Sequence, residues 1–108
     1  MALASNEIRQ QQALAMIHDL DNIINRLNNI KMNLLTSTTD LLNFASSLDP
    51  ESPEMKTLEA RRQQLVAYEK KIDAEIQIYQ NRRQKAENML KDATDKVGKA
   101  IDRMYGGK

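Results

Sequence analysis

Five leucines recur at seven-residue intervals: Leu20, Leu27, Leu34, Leu41 and Leu48. Three residues ahead of each stand Ile17, Ile24, Lys31, Thr38 and Ala45, so the spacing alternates three and four. On a helix those positions form a single stripe, the a/d seam of a coiled coil with leucine at every d position. A seam of this length needs a partner helix. The ladder therefore commits the chain to helix packing before anything else is read from it.

The partner is expected within the same chain. From Ser5, a fitting N-cap with Glu7 in the first turn, to Leu48 there is neither Pro nor Gly, which predicts a first helix over about 5–48. Thr36-Ser37-Thr38-Thr39 has low helix propensity, but apolar positions keep their register on both sides, so it reads as a weakened stretch of one helix. The strong punctuation is Pro50-Glu51-Ser52-Pro53. Pro50 drives Asp49 out of helical geometry. Ser52, Pro53 and Glu54 form the sequence of N-cap, N1 proline and acidic first turn. A turn at 49–53 followed by a helix over about 53–104 is the expected layout, and so short a connection favours antiparallel neighbours.

The second helix carries its own repeat of Leu58, Leu65, Ile72, Tyr79, Ala86, Ala93 and Ala100. Its companion row is Met55, Arg62, Glu69, Ile76, Arg83, Leu90, Val97 and Met104. The shrinkage from Leu, Ile and Tyr to Ala lets the partner approach more closely toward the C-terminal end. Arg62, Glu69 and Arg83 interrupt the apolar seam with charge, a device that costs stability and fixes register. Gly98 stands inside the helix. The expected fold is all-α, a long antiparallel two-helix coiled-coil hairpin forming one unit over residues 1–108.

With 108 residues, one Phe, three Tyr and no Trp, the chain lacks the bulk for a conventional globular core. It has no cysteine, hence no disulfide or thiolate metal site. No stretch approaches the ~20 apolar residues of a spanning helix. The N-terminal residues do not form a basic segment followed by an apolar run, so no cleavable secretory signal is read there.

Enzyme chemistry finds no nominee, and neither catalytic, cofactor-binding nor metal-ligating residues are assigned. At helical spacing from His18, Leu14, Ala15 and Asn22 are poor catalytic or metal partners and only Asp21 is suited, so His18 reads as a surface residue. The pairs Arg61-Arg62, Lys70-Lys71 and Arg82-Arg83 are interleaved with Glu59, Glu69, Asp73 and Glu75, without an aromatic platform, which makes nucleic acid an unfavoured partner.

The first helix is wider in its apolar stripe than one neighbour can cover. Beside the a/d rows, Met16, Ile23, Ile30 and Phe44 fill the g row, and Leu35 and Leu42 stand in e. From Asn22 to Thr39 its only charges are Arg26 and Lys31 among short amides and hydroxyls, a composition suited to a face pressed on other protein. These features predict self-association through Ile17, Leu20, Ile23, Ile24, Leu27, Ile30, Leu34, Leu41, Leu42 and Phe44, answered by Leu65, Ile72, Ile76, Tyr79 and Leu90. The turn residues Pro50, Ser52 and Pro53 shape the hairpin.

Two long helices around a Pro-x-x-Pro turn, with Leu65-Val66-Ala67-Tyr68, Ile78-Tyr79-Gln80-Asn81-Arg82 and the run from Val97 to Ile101, resemble the needle subunits of type III secretion systems. The likeness spans about residues 40–105. It implies a structural subunit that polymerises into a helical filament or tube, with the secretion machinery as a further partner. It also implies a place outside the cell or at its surface, reached without a cleavable signal. The alternative is a cytoplasmic coiled-coil adaptor, secretion chaperone or stalk that uses the same stripe on one larger protein.

Overall fold

The structure, a computed structural model, describes residues 2–106. Helix α1 runs Ala2–Ala45 and helix α2 runs Pro53–Tyr105. The chain is an all-α, antiparallel two-helix coiled-coil hairpin. It divides into two compact units: a terminal unit formed by Met1–Ile24 with Ile78–Lys108, and a turn unit formed by Asn25–Gln77.

Both ends of α1 differ from the sequence expectation. Ser5 lies inside the helix, which is already formed at Ala2, so Ser5 is not its N-cap. At the other end α1 stops at Ala45, three residues short of Leu48. The cause is local. The Ser46 and Ser47 hydroxyls donate to the carbonyls of Asn43 and Phe44 at 2.6 and 2.7 Å, and the Ser47 and Leu48 amides reach back only three residues, to Phe44 and Ala45. Hydroxyls that engage the carbonyls and a tightened i→i+3 pattern close the helix. Between these ends α1 is unbroken through residues 36–39. There the Thr36, Thr38 and Thr39 hydroxyls donate to the carbonyls four residues back, at 3.1, 2.9 and 3.0 Å.

The turn is held by its own side chains. Asp49 Oδ1 accepts the Glu51 amide at 3.0 Å, and the Asp49 carbonyl accepts both the Ser52 amide and the Ser52 hydroxyl. Ser52 Oγ in turn accepts the Met55 amide at 3.2 Å, the bond of an N-cap to its third helical residue. Pro53, which has no amide hydrogen to place, opens α2.

In each unit, burial follows the heptad. In the terminal unit Ala13, Leu20 and Ile24 of α1 are buried with Ile17 half-buried, and Ala86 and Ala93 of α2 are buried with Tyr79, Arg83 and Leu90 half-buried. In the turn unit Leu27, Lys31, Leu34, Thr38 and Leu41 are half-buried along α1. Ile72 and Ile76 are buried in α2, and Leu65 and Glu69 are half-buried. Ala13, Ala86 and Ala93 are completely or almost completely covered, as their small volume allows, while Ala100 is half-buried. Among the described residues no large side chain is fully enclosed.

Candidate functional site

Register comes from polar pairs that cross the seam. In the terminal unit Gln10 Nε2 donates to Thr94 Oγ1 at 3.1 Å, and Arg83 Nε donates to Asp21 Oδ1 at 2.5 Å. Eleven residues along α1 thus correspond to eleven in the reverse direction along α2. Arg83 also directs Nη2 to Asp21 Oδ2 at 3.5 Å and Nη1 to Glu87 Oε1, so one guanidinium serves two carboxylates. The hydrogen bond to Asp21 raises the Arg83 pKa above its ordinary value, against burial, and the charges of Asp21 and Glu87 add to the shift. A mirror arrangement stands on Asp92: its Oδ2 lies 3.9 Å from Arg9 Nη2 and 3.2 Å from Lys96 Nζ.

In the turn unit the crossing pair is Lys31 Nζ with Asp73 Oδ1 at 2.7 Å. The hydrogen bond, and then the charge of Asp73, raise the Lys31 pKa, with Glu69 contributing from the neighbouring seam position. Arg62 behaves differently from Arg83. It is exposed, and its ion pair runs along its own helix to Glu59 at 3.0 Å and not across the seam. The charge interruptions in the seam were visible in the sequence, but their partners Asp21 and Asp73 were not singled out there. The signal was available: counting outward equally from a turn centred near Ser52 brings residue 31 to 73 and residue 21 to 83.

The predicted interface residues fall into two groups. Leu20, Ile24, Ile72 and Ile76 are buried inside the hairpin, and Ile17, Ile23, Leu27, Leu34, Leu41, Leu65, Tyr79 and Leu90 are half-buried. Ile30, Leu42 and Phe44 are the exposed ones, at 43%, 50% and 59% of their full surface. In the turn unit they are joined by exposed Met32 and Leu35 of α1 and by Val66 and Tyr68 of α2. Met32, Val66 and Tyr68 were not nominated from the sequence, because they lie off the α1 stripe and the covered rows of α2. Tyr68 lines a cleft with Leu34, Leu65, Arg61 and Gln64.

The terminal unit exposes Ile8, Leu14 and Met16 on α1 and Ile78, Ile101, Met104 and Tyr105 on α2. Met16, Asp19 and Leu20 line a second cleft with Arg82 and Lys85. The Arg82 guanidinium sits 5.2 Å from the centre of the Tyr79 ring, within cation–π range. His18 is exposed, with Nδ1 3.8 Å from Asp19 Oδ1. Among the described residues no group of three or more His, Cys, Asp or Glu side chains is placed to hold a metal ion, and no helix is long and apolar enough to cross a membrane.

Comparison with family models, curated proteins and solved structures finds no match for this chain.

Proposed function

We propose that this chain is a structural subunit that packs side by side with copies of itself into a filament or needle-like tube outside the cell or at its surface. One observation carries this reading. In the turn unit Ile30, Leu35, Leu42 and Phe44 of one helix stay exposed although the hairpin has already formed its seam. Complete burial of such a side chain is worth about 1.5–3 kcal/mol. About half of each of these four side chains is still uncovered, so covering them contributes roughly 3–6 kcal/mol per copy. The resemblance of residues 40–105 to needle subunits supports the same reading.

The informative substitutions are on the exposed rows, because Leu27 and Leu34 also serve the hairpin itself. Leu42→Asp with Phe44→Asp is expected to leave the helical signal in circular dichroism intact and to abolish large species in sedimentation and electron microscopy. A parent protein that remains monomeric or stops at a small closed oligomer at all concentrations contradicts the filament reading and favours the adaptor alternative.

A further inference from the structure

The rows beside the seam in the terminal unit are sorted by charge. With the Leu58 row of α2 as its d positions and the Met55 row as its a positions, the e rows of this unit, one residue beyond each d position, carry Glu7, Asp21 and Glu87 and, among the described residues, no lysine or arginine. Its g rows, one residue before each a position, carry Arg9, Arg82, Lys96 and Arg103 and no carboxylate. Because e and g rows lie on opposite sides of the seam, this unit has one acidic and one basic flank.

The ion pairs inside the hairpin preserve that sorting. Asp21 and Glu87 share the single positive charge of Arg83, and Arg9 and Lys96 share the single negative charge of Asp92. Each trio keeps one unit of charge, negative in the first and positive in the second. A hairpin selected only for its own stability would mix signs on each flank, since the rows of the two helices adjoin there and like charges repel.

We propose that the terminal unit of one copy sets its basic flank on the acidic flank of a second copy. This inference rests on the self-association proposed above and adds its geometry. The occupant is another copy of this chain, because the chain itself carries both halves of the complementary pair. The two halves also stand level along the helices: Arg82 directly precedes the Arg83 that holds Asp21 and Glu87. Each flank adds an exposed apolar side chain, Met16 beside Arg82 and Leu14 among the e rows. Joining two identical flanks would set like charges against each other. Unlike flanks make a heterologous contact that leaves one flank of each sign open, so addition continues beyond two copies.

Two full-length variants test the proposal. Arg82→Glu/Lys96→Glu/Arg103→Glu reverses the basic flank. Glu7→Lys/Gln80→Lys/Thr94→Lys reverses the acidic flank and leaves the Arg83 contacts alone. Each variant by itself is expected to lose the assembled species that the parent shows in sedimentation velocity. An equimolar mixture is expected to regain it, since the two reversed flanks complement each other. Variants that assemble like the parent, or a mixture that stays dispersed, overturn the flank contact while leaving self-association in place; a parent that never assembles overturns both. If a variant does not melt cooperatively, salt decides the matter. Parent assembly is expected to fall as the screening length shrinks from about 10 Å at 0.1 M to about 3 Å at 1 M salt, and indifference to salt overturns the proposal.

Discussion

Asp21 on α1 and Arg83 on α2 meet across the seam at 2.5 Å, with a second, longer bond from the same guanidinium to the same carboxylate. A two-pronged contact has one geometry that satisfies it, unlike the sliding contact of two leucines. Shifting the helices by one turn would separate the pair and leave Arg83 with Glu87 of its own helix alone. In the turn unit Lys31 and Asp73 also pair across the seam, through a single contact of 2.7 Å.

Removing that cation tests its role. Arg83→Met leaves Asp21 and Glu87 as neighbouring carboxylates with no positive charge between them. The variant is expected to melt below the parent at low ionic strength. The deficit should narrow as salt is added, because repulsion between partly exposed charges is screened. Thermal melts at two salt concentrations read the difference.

Ser52→Ala removes the acceptor of the Met55 amide. Loss of an N-cap costs about 1 kcal/mol, and the melting temperature is expected to fall accordingly. Ser52→Asp retains an acceptor at the cap but not the hydroxyl that donates to the Asp49 carbonyl, and is expected to recover only part of the loss.

Gly98 lies inside α2, without a left-handed backbone, and a methyl group there would meet nothing within 4 Å. Gly98→Ala is therefore expected to stabilise the hairpin by about 1 kcal/mol, the difference in helix propensity. Denaturant melts monitored by circular dichroism check it.

Alkaline pH should act through Lys31. Its pKa in the fold is raised above the ordinary lysine value of 10.5. The folded state thus holds this proton more tightly than the unfolded chain, and the resulting stability is whole below 10.5 and lost as pH climbs through the raised value. Lys31→Met is expected to flatten that part of the pH–stability curve, measured by melts across the lysine range.

The seam was legible in the sequence residue by residue. The ladder from Ile17 to Leu41 coincides with the covered stripe of α1, because a 3.5-residue repeat leaves a helix little choice of face. The turn was equally plain, since Pro50, Ser52 and Pro53 each permit few backbone states. The ends of α1 were not. Ser5 has the chemistry of a cap but stands in a stretch that is already helical, while Ser46 and Ser47 end the helix before Leu48 through bonds that propensity alone does not signal. The exposed Met32, Val66 and Tyr68 escaped because they break no pattern. Which apolar side chains remain uncovered after the hairpin closes is set by the packing of the two helices.

The fully covered Ala13 and Ala93 offer each other's helices little more than a methyl group, and no large side chain in the described residues is sealed away. Prying apart one turn of the terminal unit therefore wets only a small oily area. Its amide protons are expected to trade with heavy water through brief local fraying well before the whole molecule unravels. In such a molecule, slowed deuterium uptake registers the arrival of a neighbour sooner than any change in helix content.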